Sequence, residues 1–420
     1  MRRRLAGALL SVIAVGLVFG GATASVASPR AVQDAVRDRE YWLDEYGIRA
    51  AWATTQGAGV TIAVIDTGVD GAVPDLAGAV VGGADFSGIG SANGQTPVGS
   101  EGSNHGTMVA SLAAGRGTGA TNGILGAAPA ASILSLSIGF GEGTTGSDDQ
   151  IAAAVRWAVD NGADIINMSL TRNTLDWPES WDDAFLYAAD NDVLVVAAAG
   201  NRASGTTTVG APATMPGVLT VAGVDTKGQA SFDASSQGIT IAVAAPSEQL
   251  VGAVPGGGYV IWNGTSGATP IVAGIAALVR AAHPELDAAN VINRITSTAK
   301  DAGASGPDAI YGFGLINAQA AVNATVPRVT ENPMGSLSEW ITVYRRADAP
   351  QTPVPSVTPV APEPEPVVVG PANPLGTLLP TVNQVRNVGI PLGVVVLFGS
   401  IAVVVIVTAV RQFKSVRKPE

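Results

Sequence analysis

The sequence predicts an α/β protein whose mainly parallel central sheet is flanked by helices, giving three layers. Between about residues 45 and 325, short apolar segments rich in β-branched residues alternate with alanine-rich segments of helical periodicity. A strand, a helix and a second strand in this order form a βαβ unit, in which the two strands run parallel. Hydrophobic residues make up 47% of the chain and charged residues 14%, a composition that supports a sizeable core.

Four apolar segments are predicted as buried strands, at residues 60–65, 132–138, 164–170 and 193–199. A helix is predicted between the second and third strands, over residues 150–161, because apolar residues recur there every three or four positions. Gly162 ends it. Two more helical segments are expected at residues 108–114 and 271–281.

Both ends of the chain carry membrane-targeting signals. Three arginines at positions 2–4 precede an apolar run and small residues suited to signal-peptidase cleavage, so residues 1–27 are predicted as a signal peptide. The uncharged apolar run over residues 388–410 would form a helix of about 35 Å, long enough to cross a bilayer. Basic residues in the tail, 411–420, place that tail in the cytoplasm and the preceding chain outside. An uncleaved anchor and a buried core helix are the respective alternatives.

The rest of the chain is divided into a lead-in (28–47), a central domain (48–325) and a linker (326–387). Ten prolines between residues 349 and 380 predict an extended spacer within that linker. The absence of cysteine excludes disulfides, thiolate metal sites and a cysteine nucleophile. A net charge of −11 argues against a nucleic-acid partner. No metal or cofactor is predicted.

Candidate catalytic residues lie at the ends of predicted strands and the starts of predicted helices. Asp66, in Asp-Thr-Gly, ends the first strand, and His105, in His-Gly-Thr, opens a helical segment. Ser266, in Gly-Thr-Ser, precedes another helix, whose first amide groups favour developing negative charge. Asn201 follows the fourth strand, where its side-chain amide can stabilise an oxyanion. Taken singly, each residue has an ordinary alternative role in a turn or a helix cap.

The order aspartate, histidine, asparagine, serine resembles that of the subtilisin-like serine proteases. The resemblance extends from about residue 48 to 322. It implies a catalytic triad of Asp66, His105 and Ser266. It also implies an oxyanion hole formed by the Asn201 side chain and the Ser266 backbone amide. The other histidine, His283, lies at the predicted end of a helix, where a capping role is ordinary.

The resemblance also implies that a peptide or protein substrate binds in extended form, as a strand added between two segments of this chain. These segments are Gly143, Thr144 and Thr145 on one side and Ser169, Leu170 and Thr171 on the other. Related proteases usually have glycine at the position of Thr171, at the rim of the primary specificity pocket. The side chain of Thr171 therefore predicts a pocket that takes small residues.

The targeting segments, the short lead-in and the proline-rich linker further resemble the mycosins, actinobacterial membrane proteases associated with type VII secretion. This implies the secretion machinery as a partner. The chain departs from the family pattern at Gly267, which follows the nucleophile where a larger apolar residue is common, and in lacking cysteine. The loop over residues 117–124 is short for the calcium loop of secreted subtilisins, and no calcium site is predicted. Two alternatives stay open: an aspartic protease, which would need a second Asp-Thr-Gly, and an inactive protease fold that supports a secretion complex.

Overall fold

The structure, a computed structural model, describes residues 35–99 and 103–345. The predicted signal peptide, most of the predicted linker, the predicted transmembrane helix and the C-terminal tail lie outside these residues. Within the described part, one helix, Thr265–Ala282, has the length and apolar character of a membrane span. This helix is 78% buried in the protein, as a core helix is.

A seven-stranded sheet forms the middle of the fold, with every neighbouring pair of strands parallel. The strand order is β2-β3-β1-β4-β5-β6-β7. The four predicted strands are confirmed as β1, β3, β4 and β5, with ends shifted by one or two residues. The strands are β1 (Thr61–Asp66), β2 (Val80–Asp85), β3 (Ser132–Ser137), β4 (Ile165–Met168), β5 (Leu194–Ala198), β6 (Leu219–Val224) and β7 (Ile241–Pro246). A separate antiparallel hairpin pairs β8 (Leu250–Ala253) with β9 (Tyr259–Trp262).

Helices flank the sheet, which confirms the predicted α/β class. Two helix pairs pack together, α3 with α6 and α4 with α5. The described helices are α1 (Tyr41–Glu45), α2 (Ile48–Ala51), α3 (His105–Ala114), α4 (Ser147–Asp160), α5 (Glu179–Asp190), α6 (Thr265–Ala282), α7 (Ala288–Ser297), α8 (Ala318–Asn323) and α9 (Leu337–Tyr344).

Helix α6 forms the centre of the core because its apolar side chains point in nearly every direction. It contacts five of the sheet strands as well as α3. Ile271, Ile275 and Leu278 are at most 1% exposed, and burial of each such side chain contributes about 1.5–3 kcal/mol. The helix starts at Thr265, well before the predicted position, so its first turn is fixed directly to this core.

The lead-in packs into the same core as the domain. Trp42 and Leu43, in α1, are fully buried. Arg37 donates to the backbone oxygens of Gly119 and Asn122, in the short loop that follows α3. Residues 35–47, assigned to the lead-in from the sequence, are therefore part of the folded unit.

At the other end, residues 326–345, assigned to the linker from the sequence, also pack on the domain. Asn290 exchanges two hydrogen bonds with the backbone of Val329, at 3.0 and 2.9 Å. In α9, the last helix of the described residues, Trp340 packs against Trp177 with ring centroids 4.4 Å apart and planes inclined by 40°. Just beyond it, Arg345 donates to Asp182 at 2.9 Å. The chain therefore stays attached to the domain through residue 345.

Candidate active site

A buried carboxylate and a histidine are paired at the carboxyl edge of the sheet. Asp66, the last residue of β1, is fully buried, and His105, the first residue of α3, has 28% of its side chain exposed. The Nδ1 atom of His105 lies 2.8 and 2.9 Å from the two carboxylate oxygens of Asp66. Burial lowers the pKa of His105, but the charge and hydrogen bond of Asp66 raise it by more, so this pKa lies above its ordinary value of 6.5. The pairing holds the ring with Nε2 turned away from Asp66 and free to accept a proton.

The residues that follow Asp66 and His105 in the two motifs fasten β1 to α3. The hydroxyl of Thr67 accepts a hydrogen bond from the amide of Gly106 at 3.0 Å and donates to the backbone oxygen of Ser103 at 3.1 Å. A β-carbon at position 106 would clash with the backbone oxygen of Gly68, so the close approach of helix and loop requires glycine. These two contacts set the position of His105 relative to Asp66.

Ser266 is the second residue of α6, as expected for a nucleophile at a helix N-terminus. Its hydroxyl donates to the backbone oxygen of Ser169 at 3.2 Å. Within the described residues no hydrogen bond joins Ser266 to His105, so the hydroxyl must turn away from Ser169 before His105 can accept its proton. Contacts of this kind are often loose in a protease without substrate and tighten when substrate binds.

Pro270 explains a second hydrogen bond between the start of α6 and the segment that follows β4. Pro270 directly precedes the helix predicted over residues 271–281, but α6 begins at Thr265, so the proline lies in its second turn. Proline has no amide hydrogen, and the backbone oxygen four residues earlier, that of Ser266, is left without its helical partner. The hydroxyl of Ser169 donates to that oxygen at 2.8 Å. The start of the nucleophile helix is thereby tied to the end of β4.

Asn201 is oriented by the residue before the nucleophile. Its Oδ1 accepts hydrogen bonds from the backbone amide of Thr265 at 2.8 Å and from the Thr265 hydroxyl at 3.0 Å. The amide of Gly200 in turn donates to that hydroxyl at 3.1 Å. Because both donors occupy Oδ1, the Nδ2 group is the part of Asn201 left to donate to a ligand beside Ser266.

The two predicted substrate-binding segments follow neighbours of β1 in the sheet. Gly143, Thr144 and Thr145 come after β3 and are exposed, whereas Ser169 and Leu170 come after β4 and are buried. Because β3 and β4 pair with opposite edges of β1, the two segments lie on either side of the carboxyl end of β1, where Asp66 lies. This placement suits an extended peptide between them. The binding of substrate to these six residues stays a prediction.

Thr171 packs toward the backbone of Gly210. A β-carbon at position 210 would lie 2.8 Å from the Thr171 hydroxyl oxygen and would clash with the backbone oxygen of Arg172. The hydroxyl of Thr171 itself donates to that Arg172 oxygen at 2.9 Å. The threonine side chain therefore occupies space that a glycine at position 171 would leave empty.

The catalytic roles of Asp66, His105, Asn201 and Ser266 stay predictions, and the sequence did not indicate the groups that hold these residues in place. Thr67, the hydroxyl of Ser169 and Thr265 each form hydrogen bonds that cross from one element to another. The motifs contained Thr67 and Thr265, but the partners of these residues are far away in sequence. His283 ends α6 as expected, and its Nε2 lies 2.7 Å from the backbone oxygen of Val322.

The described residues thus combine a buried acid–histidine pair with a serine at the start of a core helix. This is the arrangement of a serine hydrolase on a subtilisin fold. A model described as the Subtilase family matches residues 57–314, and the chain belongs to that family.

Individual relatives agree with this assignment. Subtilisin E from Bacillus subtilis (strain 168) is 40% identical over 268 residues, 63% of this chain and 66% of that protein, just under two thirds of its length. The structure of MycP1 from Mycobacterium smegmatis is 32% identical with a TM-score of 0.58, covering 70% of this chain and 86% of that one. The MycP3 protease from the type VII (ESX-3) secretion system is 31% identical with a TM-score of 0.58, covering 68% and 88%.

Proposed function

We propose that this chain is a membrane-anchored, extracytoplasmic serine endopeptidase that cleaves protein or peptide substrates. The observation that carries the proposal is the bond from His105 to buried Asp66, on a fold whose core helix has Ser266 as its second residue. In this role Ser266 attacks the peptide carbonyl, and His105 takes the serine proton and returns it to the leaving amine. Asp66 holds the imidazole in the required tautomer and stabilises its charged form. The negatively charged oxygen is stabilised by Asn201 Nδ2 and the backbone amide of Ser266.

The decisive experiment is labelling of the full chain, purified in detergent, with a fluorophosphonate, which reacts with an activated serine. We expect the wild-type chain to be labelled and to hydrolyse a chromogenic peptide, because His105 can activate Ser266. Ser266→Ala should do neither. Ser305→Ala is the control, because it changes an exposed serine outside the site and should leave the protein labelled. A wild-type chain that folds without being labelled contradicts the proposal.

The proposed location depends on the two ends of the chain and on the likeness to MycP proteins. The signal sequence of residues 1–27 and the apolar run of residues 388–410 would place the protease outside and its C-terminus inside the cell. Deletion of residues 388–420 should move the protein from the membrane fraction to the medium. Retention of the truncated protein in membranes would contradict anchoring by this segment.

Participation in type VII secretion is the most specific part of the proposal. It is supported by the structural likeness to the MycP3 protease of such a system at 31% identity. Deletion of this chain should impair secretion of type VII substrates, and full-length wild-type protein should restore it. Normal secretion in the deletion strain would contradict this part and leave the proteolytic proposal unaffected.

A scaffolding function without catalysis is the second candidate. One observation favours it, namely that the Ser266 hydroxyl is bonded to Ser169 in place of His105. The two candidates differ in the effect of Ser266→Ala on secretion. A scaffold predicts that this variant secretes normally while the deletion strain does not, whereas an obligatory protease predicts that both fail.

A further inference from the structure

The space beside the nucleophile is filled by a neighbouring hairpin. Gly267 follows Ser266 and is buried, and a β-carbon there would clash with the Cδ1 atom of Leu250. The same β-carbon would lie 3.2 and 3.3 Å from the Cζ2 and Cη2 atoms of Trp262. Leu250 and Trp262 face each other across the β8–β9 hairpin. The volume that a side chain at position 267 would need is therefore already filled by Leu250, with the indole of Trp262 packed beside it.

The same indole contacts the catalytic histidine. The rings of Trp262 and His105 have centroids 5.7 Å apart and planes inclined by 75°, which is an edge-to-face contact. Asp66 contacts the Nδ1 side of the His105 ring. The indole of Trp262 adds a packing contact to the hydrogen bonds with Asp66. This contact limits rotation of the ring about its Cβ–Cγ bond and so limits movement of Nε2.

The indole nitrogen of Trp262 indicates that this residue contributes to the contact with His105 more than to the stability of the fold. Its Nε1 is buried, and no acceptor for it is found among residues 35–99 and 103–345. On the facing strand, a β-carbon at Gly252 would lie 2.9 Å from this nitrogen, so glycine is needed there to admit the ring. A buried donor without an acceptor is unfavourable, and phenylalanine would avoid it. A residue with such an unfavourable buried donor is expected where its side chain contributes to the candidate active site.

We propose that Trp262 is a positioning residue that packs with Leu250 beside Gly267 and holds the imidazole of His105 in line for proton transfer from Ser266. The inference rests on the proposed proteolytic function. Gly267 contributes by leaving room for Leu250 and for the aromatic ring that contacts His105.

The first test measures hydrolysis of a peptide p-nitroanilide, which has no residue after the cleaved bond, so that contacts with that part of a substrate do not enter. In full-length protein, Trp262→Ala should lower kcat about 10- to 100-fold and change KM by less than about 3-fold, because His105 is misplaced while substrate binding is kept. Trp262→Phe should restore kcat to within about 3-fold of wild type, because it keeps an aromatic edge. Ile261→Ala, an exposed neighbour on β9, is the control and should have no effect.

The rate of fluorophosphonate labelling separates this inference from the proposed function, because labelling needs an activated serine and no substrate contacts. It should fall in Trp262→Ala by about the same factor as kcat. A wild-type chain that does not label overturns the proposed function and this role with it. Equal labelling rates in wild type and Trp262→Ala overturn this role alone. If thermal unfolding shows that Trp262→Ala is not folded, Trp262→Leu, which keeps more of the volume but has no ring, is used and should show the same loss.

The second test is a double-mutant cycle. Gly267→Ala alone should lower kcat about 10-fold or more, because the new methyl group displaces Leu250 and, through it, the facing indole of Trp262. In the Trp262→Ala background the indole no longer holds His105, so the same substitution should add less than about 3-fold to the loss. Equal costs in the two backgrounds would show that residue 267 affects kcat independently of Trp262 and would overturn the proposal.

Discussion

The surroundings of the catalytic residues and the loop predicted to bind substrate are built differently. Around the catalytic residues, Thr67, Ser169 and Thr265 are buried, and each joins two elements by at least two hydrogen bonds. By contrast, residues 143–145 are exposed, and their contacts with the protein include one backbone bond from Thr144 to Ser87. Rigid support suits groups that must not move during catalysis, while exposed loops accommodate variable partners. The comparison predicts that changes on the catalytic side reduce kcat, whereas changes near the substrate alter selectivity.

The largest effect is expected at Asn201. Asn201→Ala removes a donor to the negatively charged oxygen and should lower kcat about 100- to 1,000-fold with little change in KM. Thr265→Val is the control, because it removes a hydroxyl that bonds to Oδ1 and leaves Nδ2 in place, and it should cost less than about 10-fold. Steady-state kinetics on one peptide gives both values. Equal losses would mean that Asn201 acts by holding Thr265, contrary to the role assigned to Nδ2.

A smaller loss is expected where the two motifs meet. Gly106→Ala introduces a methyl group against the backbone oxygen of Gly68 and should shift α3 away from β1. A displacement of His105 by about 1 Å would lower kcat on the order of 100-fold. Thr144→Ala, in the exposed loop, should change kcat by less than about 3-fold. Similar effects of the two substitutions on kcat would break the contrast between the two regions.

On the substrate side, Thr171→Gly should change selectivity without damaging the triad. The substitution removes the side chain that packs toward Gly210, so a larger residue could enter the pocket. We expect the ratio of kcat/KM for a phenylalanine substrate to that for an alanine substrate to rise about 10-fold or more. Turnover of the alanine substrate should stay within about 3-fold of wild type. Efficient cleavage after phenylalanine by the unaltered chain would contradict the small-pocket prediction.

The smallest expected effect is a change in the pKa of His105, which sets the pH dependence of kcat/KM. His105 accepts a proton only when neutral, and Asp66 keeps the pKa of this histidine above 6.5, so kcat/KM should fall as the pH drops through that raised pKa. Asp66→Asn removes the cause of the increase and should lower the pKa of His105, which NMR of ring-labelled histidine can follow even if turnover is lost. The chain has two histidines, and His283→Gln assigns the signals. An unchanged or higher pKa in Asp66→Asn would contradict the pairing.

The sequence predicted the fold class and the pairing of Asp66 with His105 because these depend on local patterns. Alternating apolar segments identify β1, β3, β4 and β5, and each candidate residue follows such a strand or opens a helix. Asp66 and His105 are 39 residues apart in the chain, yet both lie where parallel strands end. Residues at that edge come together whenever the sheet forms, so their order along the chain was informative.

What the sequence did not predict depends on contacts between distant elements. Nothing local indicates that Leu250 and Trp262 pack against Gly267 or that Ser169 bonds to the carbonyl left open by Pro270. The absence of a side chain at position 267 could be read from the sequence as a departure from the family. Its compensation by side chains of the β8–β9 hairpin could not, because the hairpin register and the position of His105 were both needed.

The attachment of residues 326–345 also determines how the protein would respond to a pull on its C-terminal end. Among the residues that the structure describes, tension on this end would first reach Arg345, whose guanidinium donates to both Asp182 and the backbone of Trp177. The load would then pass to α5 and to the Trp177–Trp340 pair beside it. Helix α6, which contains Ser266, lies elsewhere in the core. We therefore expect the hydrogen bonds of Arg345 to break under tension before the residues of the candidate active site are displaced.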